Sequence, residues 1–218
     1  ISDDRAWLAL CTAHYIEVTG EMAVLDEQVA FIEGPWLRDG EHDSLFLPVV
    51  SDRRASLYEH CALAVDNSLK LGAHGLPLIG TGDWNDGMNR VGENGRGESV
   101  WLAWLHCATI AALVPLATAR GDHERAARWL AHADELRQSI EREAWDGDWY
   151  RRGFFDDGTP LGSSLSEECK IDSIAQSWSV ISGAAEPARS RQAMAAVERE
   201  LILPAEQLLM LFKPPFDQ

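Results

Sequence analysis

The chain is short of positive charge. Its 19 Lys and Arg stand against 35 Asp and Glu, a formal net charge of −16 at pH 7. A surface of that sign repels a nucleic-acid backbone, whose phosphates need a basic face, so nucleic-acid binding is excluded as a function class. An anionic substrate then requires a local basic pocket to overcome the field. Paired cysteines are missing too: Cys11, Cys61, Cys107 and Cys169 stand singly, with no CxxC pair and no His at ligand spacing. Neither a disulfide framework nor a zinc site is indicated, and reduced, buried thiols are expected. The His residues include no HxxxH pair, which argues against a metal centre. No basic and apolar leader opens the chain at Ile1-Ser2-Asp3-Asp4, and a cytoplasmic domain is the expectation. Long apolar runs are limited to one, residues 100–119, long enough to cross a bilayer. It contains His106, Thr109 and Pro115, is bracketed by Glu98 and Asp122, and lacks an aromatic belt at its far end. A buried inner helix of a helical protein fits it better than a membrane span.

What remains is an ordinary globular composition, 46% hydrophobic and 25% charged over 218 residues, enough for one domain or a large piece of one. The absent initiator Met and the ending at Pro214-Pro215-Phe216-Asp217-Gln218 suggest a fragment. Hydrophobic periodicity predicts seven helices. The first follows Ser2 with Trp7, Cys11, Tyr15 and Val18 on one face and stops at Gly20; the second covers residues 22–33; the third, capped by Ser51 or Asp52, carries Leu57, Cys61, Ala64 and Val65 to Gly72. The apolar helix over residues 98–119 follows, then one capped by Asp122 with Trp129, Leu130, Ala133, Leu136 and Ile140 in register. Residues 172–182 and 187–201 supply the last two, Pro187 sitting at a first turn. Residues 149–155 with Asp156-Asp157-Gly158 read as a short β-hairpin. Helical hairpins joined by alternating short and long loops suggest an arrangement around a centre, with chemistry on the long loops.

One of those loops is unlike the others. Gly80-Thr81-Gly82-Asp83-Trp84-Asn85-Asp86-Gly87-Met88-Asn89-Arg90 fits no helix or strand template, because its glycines permit backbone angles closed to other residues. Such a loop can aim Asp83, Asn85 and Asp86 at a sugar while Trp84 offers a flat stacking face. A calcium loop is the competing reading, but the twelve-residue ligand pattern ending in a bidentate Glu does not follow. Arg90 and Arg96 flank the loop and can hold an anion or a local salt bridge. Most of the nine Trp are expected in the core.

The segment from Gly82 to Gly92 resembles glycoside hydrolase family 94, the inverting β-glucoside phosphorylases. So do Ser2-Asp3-Asp4, Gly72-Ala73-His74-Gly75-Leu76-Pro77-Leu78 and Asp172-Ser173-Ile174-Ala175-Gln176-Ser177-Trp178. Phe31-Ile32-Glu33-Gly34-Pro35, Gly40-Glu41-His42, Leu57-Tyr58-Glu59-His60-Cys61 and Glu143-Ala144-Trp145-Asp146-Gly147 extend the similarity nearly end to end. Within the family it is most similar to the C-terminal phosphorylase-like domain of the cyclic β-1,2-glucan synthases. The resemblance implies an all-α fold, an (α/α)6 barrel of which residues 1–218 form one part, truncated at both ends. It implies Asp86 as the catalytic general acid and Trp84 lining the sugar subsite, with Asp83, Asn85 and Gln176 as substrate-binding candidates. Alternatives stay open: Asp83 as the acid, or as a structural cap of the loop; a stand-alone family 94 phosphorylase acting on β-1,2-oligoglucan or cellobiose; or a non-catalytic carbohydrate-binding helical scaffold. Trp178 fits the apolar stripe with Ile174 and Ile181, and core packing is its expected role. No organic cofactor or metal is implied; inorganic phosphate enters as co-substrate. The partners implied are a β-glucan or oligosaccharide and phosphate or glucose 1-phosphate. Membrane contact is expected only through other parts of a parent chain anchored in the bacterial inner membrane, and assembly into a homo-oligomer stays open. The family's phosphate site is expected to lie outside these residues.

Overall fold

The structure, a computed structural model, describes residues 2–36, 38, 41 and 44–217, with the backbone alone at Asp86. The described residues form six α-helices: α1 (Asp4–Thr19), α2 (Leu57–Asp66), α3 (Val100–Ala119), α4 (His123–Ser139), α5 (Ser173–Ile181) and α6 (Pro187–Leu201). The starts of α2 to α6 are set by side chains that accept an otherwise orphaned backbone N–H. Ser56 takes that of Glu59, Ser99 that of Leu102, Asp122 that of Arg125, Asp172 that of Ile174 and Glu186 that of Arg189. At the other end of α1, Gly20 adopts φ 74° and returns its N–H to Ile16, a left-handed stop that glycine adopts without a Cβ clash.

The helices pack in a definite pattern. α3 lies against α1, α4 and α5, while α1 also packs on α2 and α5 on α6. Thus α1, α3 and α5 stand in one row, each backed by the helix that follows it. The row is possible because α3 has no polar face: residues 100 to 107 are buried without interruption, and 67% of its most apolar stretch is covered by protein. This is the core helix anticipated from its composition. It does not end early at Pro115 but runs on to Ala119. Pro115 and Ala111 both lie on an exposed side, where the carbonyl left without a donor by the proline is open to water.

Two of the seven expected helices need correction. Within residues 22–33 only Met22–Asp26 turns, as a 3-10 helix with Leu25 buried, and Gln28–Glu33 is strand β1. It pairs antiparallel with β2 (Val49–Ser56), and the helix expected from Ser51 or Asp52 begins only at Leu57. The apolar positions Val29 and Ile32, whose spacing suits a helix face, are 39% and 67% exposed. Pairing with a distant strand, rather than burial of a helical stripe, decides the local structure here. Cys11 is exposed, against expectation, whereas Cys61, Cys107 and Cys169 are buried free thiols.

Four further pairings involve two-residue strands. The expected hairpin forms from β4 (Gly153–Phe154) and β5 (Pro160–Leu161), and β3 (Glu98–Ser99) joins its open edge. This third strand leads directly into α3, so the hairpin is tied to the start of the core helix. Strand β6 (Ile171–Asp172) pairs with Phe212–Lys213, and Ile202–Leu203 pairs with Leu208–Leu209.

Candidate functional site

Residues 79–97 fold back on themselves at the end of the helix row where α1, α3 and α5 begin. Ile79 donates its N–H to Gly97 at 2.9 Å, and two glycines allow the return strand to lie against backbone. A Cβ on Gly92 would fall 2.6 Å from the Gly80 carbonyl oxygen, and one on Gly97 only 2.2 Å from that of Val91. Neither contact can be relieved by turning a side chain. Gly97→Ala is therefore expected to lower stability by about 1–3 kcal/mol, the range for forced overpacking, as read from denaturant unfolding.

The loop is held at two points. On one side Ile79, Met88 and Val91 bury into a small cluster with Leu161 and Cys169. On the other Asp83 is fully buried (0% exposed). Both its oxygens lie 2.6 Å from Nη2 of Arg152, and Ser99 Oγ donates to its Oδ2 at 2.8 Å. Between these anchors, Trp84 is 39% exposed. The Asn85 side chain accepts the N–H of Gly87 at 3.1 Å, starting the 3-10 turn Asp86–Met88. The loop thus presents an indole outward, next to the turn that carries Asp86. The carboxyl of Asp86 lies outside the described side chains, and so does the expectation that it sits in a pocket.

Two of the expected substrate ligands are corrected. Asp83 has no accessible surface and its carboxylate is consumed by Arg152, Ser99 and the N–H of Asn85; it is a buried strut, the structural alternative left open above. Gln176 is likewise inaccessible. Its Oε1 accepts the N–H of Tyr150 at 2.8 Å, and its Nε2 donates to the carbonyls of Tyr150 and Asp172 at 2.7 and 2.9 Å. The amide docks α5 onto the chain before the hairpin and has no polar atom free for a hydroxyl. Trp84 and Asn85 stay at the surface of the loop.

Sequence reasoning missed Arg152. It is fully buried between Asp83 and Asp172, with Nη1 donating to Ser99 Oγ at 3.1 Å and Nε 3.4 Å from Asp172 Oδ2. That last approach is an ion contact rather than an aligned hydrogen bond, since both atoms lack a hydrogen-bond partner. Burial alone would favour the uncharged guanidine, but Asp83 and Asp172 outweigh it and hold Arg152 above its ordinary value. Burial pushes the Asp172 carboxyl up, against the pull of Arg152. Three helix starts meet at this place. Ser2, just before α1, donates its N–H and Oγ to the Gly82 carbonyl, both at 3.1 Å; Ser99 caps α3 and Asp172 caps α5. Their positive ends converge beneath the loop, and the two buried carboxylates offset them.

A string of tryptophans runs from the loop into the helix row. Trp84 meets Trp101 edge-on at 6.4 Å, Trp101 meets Trp178 at 5.9 Å, and Trp178 meets Trp7 at 5.7 Å. Such edge contacts contribute about 0.5–1.5 kcal/mol beyond area burial, and they fix the tilt of the exposed indole. Trp178 packs among these rings, the role expected for it. Two carboxylates brace the loop's flanks. Buried Glu98 accepts from the N–H groups of His74 and Leu76 and from His74 Nδ1, the last at 2.5 Å. Asp156, in the hairpin turn, accepts from the N–H groups of Asn94, Arg96 and Gly97. Burial opposes the charge on Asp156, but these backbone donors outweigh it and hold the carboxyl below its ordinary value.

Comparison with known proteins gives a consistent answer. Residues 1–218 match the family described as the glycosyl hydrolase 94 superfamily, catalytic domain. The chain is 53% identical over its full length to the cyclic beta-(1,2)-glucan synthase NdvB of Rhizobium meliloti (strain 1021), of which it covers 8%. It is 37% identical over 99% of its length to the 3-O-beta-D-glucopyranosyl-beta-D-glucuronide phosphorylase of Paenibacillus borealis, covering 26% of that protein. The solabiose phosphorylase of the same organism is 34% identical over the whole chain, again with 26% covered. The chain thus spans about a quarter of these phosphorylases and a far smaller share of the synthase. Among solved structures, the GH78 family rhamnosidase of Bacillus sp. GL1 superposes with a TM-score of 0.51 at 18% identity, over 68% of this chain and 15% of that one. That likeness concerns the fold alone.

Proposed function

The chain belongs to the glycosyl hydrolase 94 superfamily, and on that premise we propose that it carries the acid-bearing loop of an inverting phosphorylase domain acting on β-1,2-glucan. The observation that supports the reading best is the presentation of Trp84 and Asn85, next to the turn that carries Asp86, between two buried anchors, Asp83 and Met88. The row of α1, α3 and α5 backed by α2, α4 and α6 supports a reading as three hairpins of an (α/α)6 barrel, half of a closed ring. In that barrel the loop occupies the rim.

The chemistry asks for one carboxylic acid. Phosphate oxygen attacks the anomeric carbon from the face opposite the departing chain, the glycosidic C–O bond breaks, and its electron pair goes to the leaving oxygen. Asp86 supplies the proton that oxygen needs. Phosphate replaces the base-activated water of an inverting hydrolase, so no second carboxylate is required. The product is the α-anomer of glucose 1-phosphate, and the reverse reaction uses the same carboxyl as base. Trp84 stacks on the sugar ring and Asn85 borders the same subsite.

Running the reaction in reverse tests the substrate. The complete enzyme, given α-glucose 1-phosphate, is expected to release phosphate with sophorose, a β-1,2-linked acceptor, faster than with cellobiose. Phosphate release with cellobiose alone would reassign the linkage, and release with neither would remove the phosphorylase reading.

A further inference from the structure

Arg152 has no accessible surface, yet its guanidinium grips the loop that carries Asp86. Its backbone is locked on both sides: its N–H donates to Leu161 at 2.8 Å and its carbonyl accepts from Val100 at 3.1 Å. From that fixed point the guanidinium grips both oxygens of Asp83, the α3 cap Ser99 and, by ion contact, the α5 cap Asp172. The grip continues along the chain. Asp83 Oδ1 accepts the N–H of Asn85 at 3.3 Å, and Asn85 Oδ1 accepts the N–H of Gly87 at 3.1 Å. Asp86 is the one residue enclosed by that last bond.

We propose that Arg152 is the positioning residue for the general acid, setting through Asp83 and Asn85 where the Asp86 backbone presents its carboxyl to the glycosidic oxygen. The inference rests on the assignment of Asp86 as the acid. A planar guanidinium suits this role, because its donors lie in a fixed fork that can hold a carboxylate and a hydroxyl at once, whereas a lysine ammonium is a point charge on a flexible stem. The effect is large because reacting groups must sit within a narrow range of separations, and a displacement of about 1 Å costs about 10²-fold in rate. Trp84 is held by its edge contact with Trp101, whose ring the Arg152 guanidinium flanks at 6.0 Å; a lysine keeps a cation beside that ring, so the stacking indole is expected to hold its place.

The test compares two substrates of the complete enzyme, a β-1,2-gluco-oligosaccharide and 2,4-dinitrophenyl β-glucoside, whose leaving group departs without a proton. Arg152→Lys is expected to lower kcat on the oligosaccharide about 10²-fold, leave its KM unchanged, and leave phosphorolysis of the dinitrophenyl glucoside at the parent rate. Asp83→Asn, which keeps the side-chain shape and half the acceptor capacity, is expected to show the same selective loss to a smaller extent, and it carries the test if the lysine variant does not fold. Equal losses on both substrates, or no loss on either, would overturn the positioning role, because general damage to the fold does not discriminate between leaving groups. Asp86→Asn serves as the reference. If that variant loses both activities equally, the acid assignment itself is wrong and the role of Arg152 falls with it.

Discussion

Asp86→Asn in the complete enzyme is expected to lower turnover about 10²- to 10⁴-fold, the range that a positioned general acid supplies, with KM for the glucan nearly unchanged. The amide matches the carboxyl in shape and keeps its capacity to accept a hydrogen bond, so ground-state binding survives. It has no acidic proton to give, so the departing oxygen must leave as an alkoxide. A loss confined to kcat is the signature of an interaction made only in the transition state. The loop geometry sharpens the expectation: the Gly87 N–H donates to the Asn85 side chain around position 86, a hydrogen bond that this substitution does not touch. Steady-state kinetics on a β-1,2-gluco-oligosaccharide provide the check. A variant with unchanged kcat would move the acid to another residue.

The largest stability effect is expected at Arg152. Arg152→Met removes the cation from between Asp83 and Asp172, leaving carboxylates that have no accessible surface. Breaking a buried ion pair from one side typically costs about 3–5 kcal/mol, because a buried charge is left uncompensated. The loss depends on pH in a definite direction. Burial already raises the Asp172 carboxyl, and the guanidinium is what opposes that rise; without it the folded state binds the proton more tightly than the unfolded chain does. Such a group favours the folded state as pH falls and counts against it as pH rises through the folded-state value. The deficit relative to the parent is therefore largest near neutrality and shrinks on acidification, as denaturant midpoints measured across the acid range would reveal. A deficit that grew on acidification would mean that the triad is not charged as described.

Much of this was legible in the sequence, for local reasons. The buried course of α3 follows from its want of a polar face, the helix starts at Asp122 and Asp172 from short side chains that cap their own backbone, and the site loop from glycines that no regular element would place so densely. The loop reads as a candidate site because a turn without a role rarely carries a residue such as Trp84. What stayed hidden is non-local. Strand β1 exists because Val49–Ser56 pairs with it, and the spacing of Val29 and Ile32 suits a helix equally well. Arg152 follows another arginine in a hairpin, a context that reads as solvent-exposed; its burial is decided by Asp83, 69 residues away along the chain. Gln176 reads as a substrate-binding candidate, but its partner is the backbone of Tyr150, and no side-chain pattern announces a backbone partner. Asp83 and Asp86 are alike in residue type, and only the family resemblance told them apart; what the sequence did not reveal is that Asp83 faces a buried guanidinium.

The central claim is that phosphate, not water, takes the glucosyl group while Asp86 protonates the departing oxygen. It is tested by following the products of the complete enzyme on β-1,2-gluco-oligosaccharides by proton NMR, with and without inorganic phosphate. The expected result is α-glucose 1-phosphate as the first-formed product when phosphate is present and no cleavage when it is withheld. Free glucose released at the same rate in both conditions would contradict the claim.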